Sequence, residues 1–204
     1  MPAIKIILCF FIANIFIALI GRFSPPHLLK AEFVGLGLLG IIIIVNYYQV
    51  KTVSINPKIP IKGMFLTVPT TTLAILIFMV GYIFLLKHLA VEDVKYLAEY
   101  KKAGLPVWIA FIAIAAWPAF FEEIAFRGVI YQSLLSIGSP KEAIILQALL
   151  FSVVHLSPAI FISHFLIGLA LGWLATYHKS LIPSMLVHFF YNSSILLFEY
   201  FKLL

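Results

Sequence analysis

The stretch WIAFIAIAAWPAFFEEIAFRG at 108–128 sets fourteen apolar residues, Trp108 to Phe121, directly against two glutamates and an arginine. The apolar part runs unbroken, with none of the period-two alternation of a barrel strand, so it reads as a helix in a non-aqueous solvent. In hydrocarbon only helices and closed barrels satisfy the backbone, and a helix needs about 20 residues to cross. The rest of the chain agrees. Of its 204 residues 63% are hydrophobic and only 11% charged, whereas a soluble domain carries roughly 25% charged residues. There is too little polar surface to clothe a water-soluble globule. The fold class is therefore all-α, a polytopic membrane helical bundle.

Working outward, the expected spans are 4–21, 32–50, 64–87, 106–126, 142–157, 159–177 and 183–201, about seven transmembrane helices. The first is read as a retained span rather than a signal peptide, because its apolar stretch exceeds the roughly 7–15 residues of such a peptide. Pro25-Pro26 and the segment 56–60 are turns, and Pro69 falls in the first turns of the third span or kinks it. Residues 91–104 are rich in charge, and Val91, Val94, Leu97 and Ala98 recur at helical spacing. They predict one interfacial amphipathic helix, for which a plain solvated linker is the simpler account. No second domain or internal repeat is visible. The chain reads as a single membrane domain, 1–204, with variable N-terminal spans over 1–90 and a catalytic core over 106–195.

Lysines and arginines divide evenly between the two faces of a seven-span bundle, so the positive-inside rule gives no orientation. No basic cluster suggests nucleic acid, and Cys9, the one cysteine, cannot form an intrachain disulfide.

Ionisable residues embedded in a span cost about 2.5–3.5 kcal/mol each and need a reason to persist. Among the acids only Glu122 and Glu123 follow a deep apolar run; among the histidines His155, His164 and His188 are embedded. Glu123 and Arg127 are four apart, acid first, the favourable order for an ion pair on one helix face. Glu122 is rotated by about 100° and faces elsewhere. Two adjacent carboxylates suit proton transfer; a simple Glu–Arg staple explains Glu123 and Arg127 but leaves Glu122 without a role. His188 and Asn192, also four apart, put two hydrogen-bond donors on one face, as a developing oxyanion requires. An interhelical polar clamp explains the same spacing. His164, among phenylalanines and small residues, reads as a packing residue. Gly168, Ala170 and Gly172 read as small residues allowing close helix contact.

Taken together, Glu-Glu-x-x-x-Arg (Glu122, Glu123, Arg127), Phe-x-x-x-His (Phe151, His155) and His-x-x-x-Asn (His188, Asn192), in that order on late spans, resemble the CPBP family. That group contains type II CAAX prenyl endopeptidases and bacteriocin-processing or Abi proteins. Gly128 and Pro183 fit its usual context, and the resemblance covers roughly 106–195. It implies a helical membrane bundle with its site in a cavity, in which Glu122 and His155 activate a water and His188 and Asn192 stabilise the oxyanion. Glu123 and Arg127 would support Glu122. It further implies an endopeptidase of a multi-pass protein in a prokaryotic cell membrane, acting on a lipidated peptide or a membrane protein substrate within the lipid bilayer. No cofactor is expected, though zinc on Glu122, His155 and His188 is the rival mechanism. A non-enzymatic scaffold or immunity protein is the rival function. A proton-coupled transporter lacks the internal repeats it would need.

Overall fold

The computed structural model describes residues 61–91 and 95–203, together with Lys5, Leu8, Cys9 and Ile12. The expected spans at 4–21 and 32–50 otherwise lie outside the described residues, and the count of seven with them. Over the described residues the chain is helical and without strands: α1 (Ile61–His88), α2 (Tyr96–Lys102), α3 (Val107–Leu135), α4 (Pro140–Val154), α5 (Pro158–His178) and α6 (Ile182–Tyr200).

Among the described residues three segments are long and apolar enough to cross a membrane: Gly63–His88, Val107–Leu135 and Pro158–His178. Their outward residues are what lipid would solvate: Phe65 and Phe84 on α1 are 79% and 75% exposed. Pro69 sits inside α1, where a proline leaves a carbonyl of the preceding turn without its backbone donor. Hydroxyls populate that turn, with Thr70 Oγ1 donating to the Leu66 carbonyl at 2.6 Å.

α3 differs from the expected 106–126 span. It runs nine residues further, and its hydrogen bonding widens to a π pattern over Phe111–Ala116 and Ile124–Ile130. Such π stretches are rare and concentrate at functional sites. Here one of them carries Arg127. α4 spans 140–154 rather than 142–157, and at 15 residues it is short for a crossing. A capping box starts it: Glu142 N–H donates to Ser139 Oγ, and Ser139 N–H returns to the Glu142 carboxylate. His155 is its C-cap, and Leu156 then turns the chain with φ 49°. Pro158 at the start of α5 forbids the helix from continuing.

The helix expected over 91–104 is shorter, Tyr96–Lys102. Leu97 and Tyr100 of α2 are buried against Ala110, Ala113 and Ala115 of α3 and Leu196 of α6, while Val91 is exposed. Glu199 of α6 accepts from the Leu97 and Ala98 backbone N–H groups at 3.0 and 3.2 Å, which satisfies the start of α2. A second core joins α1, α5 and α6 through Met79, Leu171 and Val187. A third joins the end of α3 to α4 through Phe126, Ile130 and Phe151. The small residues read from the sequence do pack helices closely: a Cβ on Gly168 of α5 would lie 3.0 Å from Ala148 of α4.

Candidate active site

Four helices bring their polar residues together where α3, α4, α5 and α6 meet. Glu123 is fully buried and Arg127 is 2% exposed. Arg127 Nη1 donates to Glu123 Oε1 at 2.9 Å, the intrahelical pair the spacing predicts. Its second limb, Nη2, reaches the Gly168 carbonyl on α5 at 3.3 Å. Gln147 Nε2 of α4 donates to the same carbonyl at 2.9 Å. The guanidinium carbon also stands 4.6 Å from the Phe151 ring centre, a cation–π contact in a desolvated setting. Arg127 is thus fixed by three helices.

On the other side of Glu123, His188 Nδ1 lies 2.8 Å from the same Oε1. With the carboxylate as acceptor, Nδ1 carries the proton, which leaves Nε2 as the working nitrogen. That nitrogen is 3.9 Å from Glu122 Oε2. This is too long for a direct hydrogen bond and suited to a bridging water. The Glu122 side chain is 23% exposed, against none for Glu123. The two adjacent acids therefore occupy different surroundings, as their 100° rotation on the helix predicts.

His155, at the end of α4, has Nδ1 2.7 Å from the Phe151 carbonyl, so its Nε2 is also the unprotonated nitrogen. Phe151, fully packed, touches Phe126, His155, His164 and His188 with ring centres 4.9–6.0 Å apart. It spaces the imidazoles around one hub. Ser152 is not a nucleophile in waiting: it is buried, and its hydroxyl donates to the Phe161 carbonyl of α5 at 2.8 Å.

Two placements add to the sequence reading. Asn192 shares a helix face with His188, but its Nδ2 donates to the Ile114 carbonyl of α3 at 2.8 Å. One amide hydrogen is thus committed to an interhelical clamp, as the plainer reading has it, and one is left for other work. The second is His164. Read as packing alone, it lies against His155 with ring centres 4.1 Å apart. Its Nδ1 is 3.0 Å from the Ile160 carbonyl. Helical spacing misses this pair because the turn at 155–157 breaks the register between the two residues. The available signal is that turn itself: a histidine at a helix end and another two turns into the returning helix.

Among the described residues no three histidine, cysteine, aspartate or glutamate side chains are grouped to hold a metal ion. The three protein ligands that catalytic zinc takes are not assembled by Glu122, His155 and His188 in this geometry.

The bundle and its centre define an integral membrane protein with an acid–imidazole site enclosed by helices. Residues 104–194 match the family model described as Type II CAAX prenyl endopeptidase Rce1-like. The family is one of proteases and falls within the CPBP group whose motifs the sequence resembles. The matched segment runs from just before α3 to the middle of α6 and contains every residue of the site. Neither the curated proteins nor the solved structures gave a match.

Proposed function

We propose that the chain is an intramembrane endopeptidase that hydrolyses a peptide bond of a lipidated, leader-bearing or membrane-tethered protein, using water activated by Glu122 and His155. The observation that carries this is the difference between the two glutamates. Glu123 is locked between Arg127 and His188, while Glu122 is partly exposed and 3.9 Å from the His188 Nε2.

In this reading Glu122 takes the proton of a water in the space it borders, with the Nε2 lone pair of His155 helping to hold that water. The hydroxyl attacks the peptide carbonyl. His188 and the uncommitted N–H of Asn192 donate to the oxygen as it becomes negative. His188 donates from Nε2 when it carries both protons, with the Glu123 carboxylate as counter-charge at Nδ1. Arg127 holds Glu123 in place. Collapse of the tetrahedral intermediate returns a proton to the leaving nitrogen and frees the two peptide ends. The apolar walls limit competing water. No step uses a metal, and the four-helix convergence over 106–195 is the catalytic core.

The test is Glu122→Ala, expressed with a membrane-tethered candidate substrate and checked for insertion and melting temperature. Cleavage is expected to fall by roughly 10²–10⁴-fold, the contribution of a positioned base. Undiminished cleavage by a folded Glu122→Ala protein overturns the proposal.

A further inference from the structure

Glu123 is held unevenly. Its Oε1 accepts from Arg127 and His188, while Oε2 is buried and takes no hydrogen bond among the described residues. A carboxylate accepts on both oxygens, and one held at a single oxygen can still swing about it. A donor for Oε2 has to come from a group that faces the pair, and Ser184 of α6 does. It is fully buried and lies four residues before His188, so the two side chains share the face of α6 that meets Glu123. Its hydroxyl stands within hydrogen-bonding reach of the Glu123 carboxylate.

In this arrangement the hydroxyl donates to the Leu181 carbonyl at 2.9 Å. That carbonyl does not depend on it, because the Met185 backbone N–H donates to the same oxygen, also at 2.9 Å. One buried donor is therefore surplus where it points, and beside it one buried carboxylate oxygen lacks a donor. Turning about the Cβ–Oγ bond moves only a hydrogen. A hydrogen bond to a carboxylate is also roughly twice as strong as one between neutral groups.

We propose that Ser184 is a further positioning residue of the site, whose hydroxyl exchanges the Leu181 carbonyl for the free oxygen of Glu123 and so fixes the direction of His188. The inference rests on the protease reading and adds to it a residue outside the three motifs. With Ser184 in place the carboxylate is held by Arg127, His188 and Ser184 together, and its plane can no longer swing. His188 Nδ1 then stays aligned on Oε1, and Nε2 stays aimed at the space that Glu122 borders. Ser184 touches neither the substrate nor the attacking water. It acts through Glu123 and His188.

The first measurement reads the Glu123 carboxylate and needs no substrate. Infrared difference spectra are taken on the full chain in phosphatidylcholine nanodiscs, isotope-labelled at the glutamate carboxyls. Ser184→Ala deletes the hydroxyl and should shift a carboxylate band; the same change in a Glu123→Gln background should shift none. Ser184→Thr keeps a hydroxyl and should leave the band at its wild-type position. The second measurement uses the membrane-tethered substrate of the Glu122→Ala test. Ser184→Ala should lower kcat roughly tenfold or more, the scale of a hydrogen bond to a charged group, with KM within about twofold. Ser184→Thr should keep most of kcat although its added methyl crowds a packed site and lowers the melting temperature. Should Ser184→Thr not fold, Ser184→Cys, a weaker donor of similar size, should give a kcat between those of wild type and Ser184→Ala. A merely structural serine would make activity follow melting temperature, with Ser184→Ala close to wild type in both. An unshifted band in folded Ser184→Ala overturns the proposal, and so does an unchanged kcat. Either result beside Glu122-dependent cleavage removes the role of Ser184 alone. Cleavage that survives in Glu122→Ala removes the protease reading instead, whatever the band does.

Discussion

Oε1 of Glu123 accepts from two helices at once, from Arg127 Nη1 at 2.9 Å within α3 and from His188 Nδ1 at 2.8 Å on α6. A single buried oxygen thereby fixes the direction of an imidazole 65 residues away in the chain. In the proposed mechanism Glu123 is a positioning residue that acts through His188, while Glu122 borders the space where water would stand. The other Glu123 oxygen, Oε2, is buried without a hydrogen-bond partner among the described residues.

Both members of the Glu123–Arg127 pair are buried, so removing one leaves the other uncompensated. Glu123→Ala and Arg127→Ala should each destabilise the protein by about 3–5 kcal/mol. The double variant should lose much less than the sum, because no orphan charge is left behind. Melting of the four proteins of the cycle in detergent measures this. Additive losses would mean that the two side chains act independently, against the 2.9 Å contact.

Asn192 is predicted to have two separable roles. Asn192→Ala removes the donor to the Ile114 carbonyl and should cost about 1–3 kcal/mol in stability. If its second N–H serves the oxyanion, kcat should fall by roughly 10²–10³-fold in protein that is still folded. An unchanged kcat with a lowered melting temperature would make Asn192 a clamp only. Steady-state kinetics alongside a melting curve separate the two.

Much of this was legible in the sequence, and the limits have physical causes. The Glu123–Arg127 pair follows from spacing within one helix, and the structure forms it. The short helix within 91–104 and the late spans follow from composition, with ends displaced by one to nine residues because apolar runs carry no mark where a helix passes lipid. What pattern reading lacks is tertiary. The π stretches of α3 arise from how its turns pack and have no residue signature. The Asn192 partner is a backbone carbonyl on another helix, which no side-chain motif reveals. His164 packs as its apolar surroundings predict, but its contact with His155 is not visible in the sequence because the two lie across the chain reversal at Leu156 and Ser157.

Metal dependence is tested directly. The described residues do not group three ligands, and the proposed chemistry uses the protein's own acid and imidazoles. Enzyme purified with a strong chelator should keep its activity within about twofold, a change worth less than 1 kcal/mol in barrier height. Loss of activity that only zinc restores would replace the glutamate mechanism with a metal one. Added zinc should give no rise in melting temperature, since a ligand that binds only the folded state stabilises it.

A close backbone contact between α4 and α5 under the site makes a prediction of its own. At Gly168 an added Cβ would lie 3.0 Å from both Cα and Cβ of Ala148. A backbone atom of a packed helix cannot turn aside as a flexible side chain would, so Gly168→Ala must push α4 and α5 apart. The cost should be about 1–3 kcal/mol, the usual range for overpacking. The Gly168 carbonyl would move with its helix, and it holds both Arg127 Nη2 and Gln147 Nε2. Activity should therefore fall by more than the loss of folded protein explains. Ala148→Gly in the same chain removes the Cβ–Cβ clash but not the Cβ–Cα one, so it should restore part of the stability. Gly81→Ala is the control: nothing lies within 4 Å of its added Cβ. In a helix that change should be neutral or stabilise by up to about 1 kcal/mol. Equal effects at Gly168 and Gly81 would show that α4 and α5 are not held at this distance, and that Arg127 does not depend on their contact.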